Sequence, residues 1–245
     1  MKCIILAAGY ATRLYPLTEN FPKPLLKIGG VTILDRLIDD IETCGRVDEY
    51  IVVTNSKFAG IFEEWAREKK PRVTVKADGT YTNETRLGAV KDIQLAVETC
   101  NIKEDTLVIA GDNVLDFSLT KFINYALSKG TSCTMRYSEK DIDRLRKSGI
   151  SEVNDDGLLV SFEEKPQNPK SDWCTPPFYY YTAADLARIG EAIEDGCGVD
   201  APGSLVSWMC SHSIVYSMEM PGSRYDIGDI KSYEYADKNY KGIIY

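Results

Sequence analysis

Two cations near the N-terminus could serve chemistry on a phosphorylated ligand. Arg13 lies in a loop of small residues directly after a first apolar strand, and Lys23 stands between Pro22 and Pro24. A strand that ends in such a loop leaves backbone N–H groups free, and α/β proteins bind phosphates there. A lysine held by two prolines in a rigid, extended segment adds nothing to core packing. It is well suited to neutralise the charge of a phosphate beside the loop.

Two carboxylates are candidates for a metal site. Asp112 comes just past the carboxyl end of the strand predicted at Thr106 to Ala110, where open α/β sheets bind ligands. Asp226 stands shortly before the last predicted helix. His212 is the single histidine and is expected at a helix end or on the surface, so histidine-rich zinc and iron sites are excluded. Any metal must therefore be held by carboxylate oxygens, which predicts Mg²⁺.

Two further segments carry residues that could contact a second ligand. Glu164 and Lys165 end the second strand of a predicted hairpin, and Pro166 fixes the chain after the lysine. The aromatic run Phe178 to Tyr181 predicts a strand whose side chains alternate between two faces. Aromatic runs in strands are usually core. One face could nevertheless line a pocket, and Tyr179 is the candidate residue.

The composition excludes several classes of function. Twenty-nine basic and 37 acidic residues give a net charge of −8, which argues against a surface that holds nucleic acid. No apolar run approaches the ~18 residues of a membrane span, so no membrane partner is expected. The seven cysteines are scattered without a CxxC pair. That pattern is typical of a reducing compartment and predicts a cytoplasmic protein.

Strand and helix signals alternate through the first half of the chain. Short apolar runs, such as Cys3 to Ala7, are followed by segments with apolar residues at helical spacing, such as Thr32 to Cys44. Repeated βα units predict an α/β fold with a doubly wound, mostly parallel, Rossmann-like sheet. Further along, Asp155-Asp156-Gly157 predicts a hairpin. We therefore expect one domain, 1–245, in which residues 150–215 add a small antiparallel flap.

Five short motifs occur in one order along the chain. They are LAAGYATRLYPLT at 6–18, PKPLL at 22–26, GDN at 111–113, EEKP at 163–166 and YDIG at 225–228. In type, order and spacing they resemble the motifs of the nucleotide-sugar pyrophosphorylases, also called sugar-phosphate nucleotidyltransferases. The resemblance spans nearly the whole chain and implies the GT-A-like fold of that family. Because the last motif is followed only by a helix, predicted from Ile230 to about Tyr240, before the chain ends at Tyr245, we expect no appended left-handed β-helix.

The resemblance implies the transfer of a nucleoside monophosphate to a phosphorylated small-molecule acceptor. In that reaction an acceptor phosphate attacks the α-phosphorus of a nucleoside triphosphate, and pyrophosphate leaves; the catalyst supplies positioned cations and a metal. By this resemblance Arg13 and Lys23 are the catalytic residues. Arg13 would neutralise the departing pyrophosphate, and Lys23 would contact the α-phosphate and the acceptor phosphate. Asp112 and Asp226 would share Mg²⁺.

The resemblance also assigns the residues that bind the two substrates. The nucleotide-binding residues are expected to be Leu6, Ala7, Ala8, Gly9, Tyr10, Asn83, Gly88 and Asp112. Relatives place a base-reading side chain and a glycine of close approach in the region of Asn83 and Gly88. On the acceptor side, Lys165 would hold the phosphate and Glu164 would reach a sugar hydroxyl.

Three positions depart from the family pattern. Ala11 replaces the second glycine of the first loop, which is unfavourable if that position requires a positive φ. Asp229 stands where the family usually has threonine and adds negative charge beside Asp226. Pro177 occupies the position of a glycine that lets relatives bring backbone against the sugar, and proline has no N–H to offer.

Several functions therefore stay open. The leading one is Mg²⁺-dependent nucleotidyl transfer to a sugar 1-phosphate. A variant uses CTP with phosphocholine or an aminoalkylphosphonate, since an aromatic face beside Pro177 would favour a cationic group. A catalytically silent nucleotide-sensing module is the alternative from another class, although Arg13, Lys23, Asp112 and Asp226 are all present. A Rossmann oxidoreductase is disfavoured because GxGxxG is absent. The base is not identified, and relatives form dimers and tetramers, so the expected partner chain is a second copy.

Overall fold

The computed structural model describes residues 1–69 and 71–244, in which strands and helices alternate. The strands are β1 (Lys2–Leu6), β2 (Lys27–Ile28), β3 (Val31–Thr32), β4 (Glu49–Thr54), β5 (Val73–Ala77), β6 (Thr106–Ala110), β7 (Asn113–Leu115), β8 (Ser132–Ser138), β9 (Gly149–Val153), β10 (Leu159–Glu164), β11 (Trp173–Thr175), β12 (Phe178–Tyr181), β13 (Val215–Glu219) and β14 (Arg224–Asp226). The helices are α1 (Ile33–Glu42), α2 (Ala59–Arg67), α3 (Ala89–Thr99), α4 (Thr120–Lys129), α5 (Ile142–Leu145), α6 (Ala183–Leu186), α7 (Ile189–Glu194), α8 (Gly203–Met209) and α9 (Ile230–Asn239). Short 3₁₀ turns cover Thr12–Leu14, Lys23–Leu25 and Asn83–Thr85.

The chain divides into two compact units. The first comprises Met1–Leu87, Ala110–Lys121 and Pro221–Tyr245, and the second comprises Gly88–Ile109 and Phe122–Met220. Residues 150–215, the expected flap, all belong to the second unit.

A parallel sheet forms the core of the first unit. β4 lies between β1 and β5 and pairs with both in parallel, so that Ile51 stands opposite Ile4 on one side and Thr74 on the other. Every residue of β4 is buried, as expected for a strand that is covered on both faces. α1 begins at a capped end, where the Thr32 hydroxyl accepts a hydrogen bond from the Asp35 N–H at 3.0 Å.

A small antiparallel ladder in the first unit joins parts of the chain that are far apart in sequence. β7 pairs with β14, which places Asn113 opposite Asp226. α9 follows β14, and the Tyr240 hydroxyl donates to the Leu115 carbonyl of β7 at 2.9 Å. These three-residue strands are too short to carry a periodic signal, and the sequence patterns do not predict them.

The second unit combines antiparallel and parallel pairing. β8 pairs with β11 and β12 in antiparallel fashion and with β13 in parallel. β12 also pairs antiparallel with β6. β9 and β10 form the predicted hairpin, and Gly157 in its turn has φ 80°, a conformation that favours glycine.

The predicted α/β class is confirmed, with a mostly parallel central sheet and smaller antiparallel sheets. One predicted element is wrong in detail. The spacing of Leu186, Ile189 and Ile193 predicts a single helix, but two short helices, α6 and α7, occupy this region. The chain breaks between them because Arg188 has φ −90° and ψ 7°, outside the helical region. The sequence patterns also do not reveal α8 and β13.

Three further features of the described residues concern membrane-spanning helices, cysteines and the single histidine. No helix among them combines the length and the hydropathy needed to cross a bilayer. All seven cysteines are free thiols in the structure. His212 is exposed just after α8 and stacks on Trp208 with ring centroids 4.0 Å apart, so it is a surface residue at a helix end.

A buried carboxyl in α1 makes the stability of the first unit depend on pH. Asp40 is only 3% exposed, and its Oδ2 accepts a hydrogen bond from the Leu119 N–H at 2.7 Å. Burial raises the pKa of the Asp40 carboxyl, although bonds from Ser118 and Leu119 act to lower it. The folded state therefore holds its proton to a higher pH than the unfolded state does, and ionisation removes stability as pH rises.

We predict that Asp40→Asn, which keeps an acceptor for Leu119 and carries no charge, becomes more stable relative to wild type as pH rises from 4 to 7. The free energy of unfolding, measured by urea denaturation at both pH values, checks this. Asp40→Ala is the control and should be destabilised at both, since it leaves the buried N–H of Leu119 unpaired. A stability difference between Asp40→Asn and wild type that shrinks toward pH 7 would contradict the assignment.

Candidate active site

The loop after β1 in the first unit is fixed by side chains from other segments. The Asn55 amide donates to the carbonyl of Ala8 at 3.0 Å. Tyr10 is buried, and its hydroxyl forms a hydrogen bond with Thr80 Oγ1 at 3.1 Å. Gly9 between them is exposed, and a Cβ built on it would meet nothing within 4 Å. The backbone of the loop is therefore held rigidly while open space remains beside Gly9, as a phosphate-binding loop requires.

Ala11 adopts the left-handed conformation for which the family pattern has glycine. Its φ is 47° and its ψ is 42°. Its carbonyl accepts hydrogen bonds from the Leu14 N–H at 2.9 Å and from the Thr18 hydroxyl at 2.8 Å. Left-handed backbone costs a residue with a Cβ roughly 1–2 kcal/mol. The loop therefore retains the glycine-type geometry, and the two hydrogen bonds hold the alanine in it.

Lys23 is the first residue of a 3₁₀ turn, and the predicted extended segment is wrong at this position. Leu25 N–H donates to the Pro22 carbonyl at 3.1 Å, and Leu26 N–H donates to the Lys23 carbonyl at 3.0 Å. Burial of Leu25 and Leu26 explains why the chain turns inward here. The lysine itself is only 8% exposed, so its charge requires a partner.

That partner is Asp112, which follows β6. Lys23 Nζ donates to Asp112 Oδ2 at 2.8 Å. The other oxygen, Oδ1, accepts from Asn113 Nδ2 at 3.0 Å, and Asn113 Oδ1 in turn accepts from Arg224 Nη1 at 2.8 Å. Burial acts to raise the pKa of the Asp112 carboxyl, but the charges of Lys23 and Arg224 outweigh it and lower the pKa below its ordinary value. Asp112 is therefore an anion that contacts Lys23 directly and is connected to Arg224 through Asn113.

Asp226 lies at the end of the β7–β14 ladder where Asn113 begins β7. It is exposed and stands opposite Asn113, the residue next to Asp112. Among the described residues, no three His, Cys, Asp or Glu side chains are grouped as a metal site. One or two carboxylates suffice for Mg²⁺, which completes its octahedron with water and substrate phosphates.

Arg13 extends from the first loop toward the turn before α9. Its Nη1 lies 3.8 Å from the position that a Cβ on Gly228 would occupy. Asp229 is the N-cap of α9: its Oδ1 accepts from the Ser232 N–H at 2.8 Å, and its own N–H donates to Ser232 Oγ at 2.9 Å. The hydrogen bond from the Ser232 backbone lowers the pKa of Asp229, with a smaller contribution from Arg13. The residue that replaces threonine thus has a structural role as a helix cap.

Asn83 and Gly88 fall in different units. Asn83 begins a 3₁₀ turn in the first unit, and its carbonyl accepts from Arg86 Nη1 at 3.2 Å. Gly88 belongs to the second unit and has φ 99°; a Cβ there would stand 2.6 Å from the Val199 carbonyl oxygen. The glycine is therefore required by the approach of the chain's own backbone. Contact of either residue with a nucleotide stays a prediction.

Glu164 and Lys165 follow one another at the end of β10 in the second unit. Glu164 Oε2 occupies the space beside Gly203, where an added Cβ would come within 2.1 Å of it. Burial raises the pKa of the Glu164 carboxyl, and the charge of Lys165 acts against this. Lys165 has φ 50°, and its N–H donates to the Ser148 carbonyl at 3.0 Å while its side chain is exposed. An inward carboxyl beside an exposed ammonium suits a ligand that carries hydroxyl and phosphate groups.

Tyr179 lies in a strand whose four aromatic residues are all buried. It is 2% exposed, and its ring stacks on that of Tyr181 with centroids 5.8 Å apart. On the other face of β12, the Tyr180 hydroxyl donates to Asp105 at 2.7 Å. Pro177 precedes the strand in a tight turn closed by the Phe178 N–H. The ordinary core interpretation accounts for these rings, and an acceptor contact of Tyr179 stays a prediction.

The structure adds residues that the sequence patterns did not single out. Asn113 and Arg224 support Asp112, Asn55 anchors the first loop, and Gly203 makes room for Glu164. Asn113 was visible as the third residue of the GDN motif, and Arg224 directly precedes the YDIG motif. Asn55 and Gly203 carry no local signal, because only the fold brings them to these positions.

Comparisons with known families, sequences and structures all match nucleotidyltransferases. The family model described as Nucleotidyl transferase matches residues 2–242. The chain is similar to glucose-1-phosphate adenylyltransferase of Fervidobacterium nodosum, with 27% identity over 94% of the chain, and spans 59% of that enzyme's length. It is also similar to the UTP–glucose-1-phosphate uridylyltransferase AglF of Haloferax volcanii, with 29% identity over 75% of the chain and 73% of the relative. A crystal structure of UDP-glucose pyrophosphorylase with UDP-glucose superimposes with a TM-score of 0.82 at 18% identity, over 98% of this chain and 97% of the other, and so shares the fold.

The left-handed alanine supplies a stability prediction. Ala11→Gly should raise the free energy of unfolding by about 0.5–1 kcal/mol, because relief of the left-handed strain exceeds the added flexibility of the unfolded chain. Chemical denaturation measures the change. Ala66→Gly in α2 is the control and should lower the stability by about 1 kcal/mol, since its backbone is helical. A loss of stability in Ala11→Gly equal to that of the control would show that the loop does not need a positive φ at this position.

The N-cap of α9 supplies a second stability prediction. Asp229→Ala should lower the melting temperature, because the N–H of Ser232 loses its acceptor, whereas Asp229→Asn should keep most of the stability. Thermal unfolding of the three proteins at neutral pH decides between a cap and a purely electrostatic role. Equal losses in the alanine and asparagine variants would mean that only the charge matters.

Proposed function

This chain belongs to the nucleotidyl transferase family, and we propose that it transfers a nucleoside monophosphate from a nucleoside triphosphate to a sugar 1-phosphate, releasing pyrophosphate. The observation that carries the proposal is the cluster in the first unit. Lys23, Asp112 and Asp226 come from three separate motifs. Lys23 contacts Asp112, and the strand that ends at Asp226 pairs with the strand that follows Asp112.

The chemistry requires few covalent contributions from the protein. An oxygen of the acceptor phosphate forms a bond to the α-phosphorus, and the bond from that phosphorus to the bridging oxygen of the β-phosphate breaks. The bonding electrons leave with pyrophosphate, and the acceptor oxygen is already anionic at neutral pH, so no proton must be removed. A chain with one exposed histidine can therefore perform the transfer.

Each side chain of the cluster has a part in offsetting charge. Lys23 would bind the α-phosphate and the incoming acceptor phosphate, and a preorganised cation of this kind acts most strongly in a partly desolvated site. Arg13, which extends toward Gly228, would bind the departing pyrophosphate. Asp112 and Asp226 would hold Mg²⁺, which when bound neutralises the crowded phosphate oxygens. The rigid backbone at Ala8–Tyr10 would orient the triphosphate.

The acceptor is proposed from the chemistry of Glu164 and Lys165 and from the named activities of relatives. A lysine suits the acceptor phosphate, and a carboxyl suits a sugar hydroxyl. Both curated relatives act, by name, on glucose 1-phosphate. Their names differ in the nucleotide, adenylyl in one and uridylyl in the other, so the base is left to experiment. The buried state of Tyr179 and Tyr181 gives a cationic acceptor such as phosphocholine no support.

A pyrophosphate-release screen tests the function directly. ATP, CTP, GTP, UTP and dTTP are each combined with glucose 1-phosphate, other hexose 1-phosphates, phosphocholine and aminoethylphosphonate. We expect release with at least one hexose 1-phosphate and none with phosphocholine. Turnover with phosphocholine or aminoethylphosphonate alone would overturn the sugar assignment. If no combination releases pyrophosphate although the protein is folded and binds nucleotide, the result would favour the nucleotide-sensing module.

A matched pair of lysine variants tests the catalytic cation. Lys23→Met should lower turnover about 100-fold or more, on the scale of losing a preorganised charge contact. Its melting temperature should change little, since methionine fills the same buried space. Lys27→Met, a change at an exposed lysine of the next strand, should leave turnover unaffected. Normal kinetics with a large loss of stability in Lys23→Met would make this lysine structural.

A further inference from the structure

The two oxygens of the Asp112 carboxylate have partners of different kinds. Oδ1 accepts from the neutral amide of Asn113 at 3.0 Å, and Oδ2 accepts from the ammonium of Lys23 at 2.8 Å. The side chain of Asp112 is 42% exposed, whereas that of Lys23 is 10% exposed. One carboxylate thus connects two largely buried groups and still faces solvent on one side.

The Asn113 contact is fixed by its own surroundings. Asn113 is 2% exposed, and its Oδ1 accepts from Arg224 Nη1 at 2.8 Å. Arginine only donates hydrogen bonds, and an ionised carboxylate only accepts them. Rotating the amide would set donor against donor and acceptor against acceptor, so one orientation is enforced. Asn113 therefore holds Oδ1 whatever occupies the other oxygen.

The Lys23 contact is exchangeable. The turn Lys23–Leu25 is closed by backbone hydrogen bonds that do not involve the lysine side chain, so the ammonium can leave Asp112 without unfolding the turn. A lysine ammonium is a point charge on a flexible stem and can reorient toward another anion. An ammonium that gives up Asp112 needs another partner, which is the phosphate of a bound nucleotide or, without nucleotide, the solvent at the exposed side of Asp112.

We propose that Lys23 and the divalent cation occupy Oδ2 of Asp112 in turn. Without nucleotide, the ammonium of Lys23 neutralises this oxygen. With cation and nucleotide bound, Asp112 Oδ2 would be a ligand of the cation, and Lys23 would turn to the phosphates. Asn113 is a positioning residue that keeps the carboxylate in one orientation in both states. The inference rests on the proposed function, which supplies the cation and the phosphates.

Thermodynamic linkage predicts how removal of the Lys23 ammonium changes the affinity for the cation. If Lys23 and the cation compete for one oxygen, removal of the ammonium must strengthen cation binding, although it also removes a catalytic group. Removing any positive side chain near the site would also strengthen cation binding, because it removes charge repulsion. A control is therefore needed. Arg224 provides the matched control, because it is a second cation near Asp112 whose hydrogen bond goes to the Asn113 amide.

The experiment measures Mn²⁺ binding to the nucleotide-free protein from the electron paramagnetic resonance signal of the free ion. Lys23→Met should bind Mn²⁺ about tenfold or more tightly than wild type, the scale of a competing charge-assisted hydrogen bond. Arg224→Gln should tighten binding by less than about threefold, as expected for a screened charge without direct contact. Adding Asp112→Asn to Lys23→Met should abolish the gain.

A second measurement needs no variant. Acetylation of single lysines in the wild-type protein is followed by mass spectrometry with and without saturating Mn²⁺. We expect the rate at Lys23 to rise several-fold with Mn²⁺, and the rate at exposed Lys27 to stay constant. An unchanged rate at Lys23 overturns the exchange. So does a Lys23→Met affinity no higher than that of Arg224→Gln, or no measurable Mn²⁺ binding by Lys23→Met.

The two hypotheses fail separately. Pyrophosphate release by wild type, together with unchanged Mn²⁺ affinity in Lys23→Met, overturns the exchange alone. Tighter Mn²⁺ binding in Lys23→Met by a protein that never releases pyrophosphate supports the exchange and overturns the proposed function.

Discussion

The close approach of Gly111 to the end of β1 determines where the charged groups of the first unit stand. Its N–H donates to the Leu6 carbonyl at 2.9 Å, and a Cβ on it would lie 3.0 Å from Ile5 Cγ2 and 3.5 Å from Pro24 Cγ. A larger residue at this position would be crowded against Ile5, so the side chain of Ile5 would have to shift. The approach sets Asp112 beside the turn that carries Lys23, and the ion pair between them follows from it.

The ion pair explains how the ammonium of Lys23 can be buried. A nearly buried ammonium would be strongly unfavourable alone, and an anion at 2.8 Å makes its burial tolerable. The same carboxylate is held by Asn113, which depends on Arg224 from β14. The ladder that brings Arg224 into place also brings Asp226. Linked contacts therefore position Lys23 and Asp112, and the β7–β14 ladder carries Asp226 as well.

The sequence predicted the βα units and the place of Asp112, because long periodic segments and the carboxyl ends of strands obey general rules. It could not predict the β7–β14 ladder, since three-residue strands leave no pattern and their pairing is decided by tertiary contacts. Lys23 turned inward where two prolines suggested an extended segment, because burial of Leu25 and Leu26 prevailed over the local preference. Asp229 illustrates a different limit. Its carboxylate accepts a hydrogen bond from the Ser232 N–H and caps α9. Its negative charge alone does not predict this role.

The proposed reaction transfers the α-phosphorus of the triphosphate, within the nucleoside monophosphate, to the acceptor. It is tested most directly by following two labels with one acceptor, using the nucleotide that supports turnover. With label in the α-phosphate, the account predicts radioactivity in a nucleotide–sugar product, and with label in the γ-phosphate it predicts radioactivity in pyrophosphate. Appearance of the γ-label on the sugar phosphate would mean phosphoryl transfer and would contradict the account.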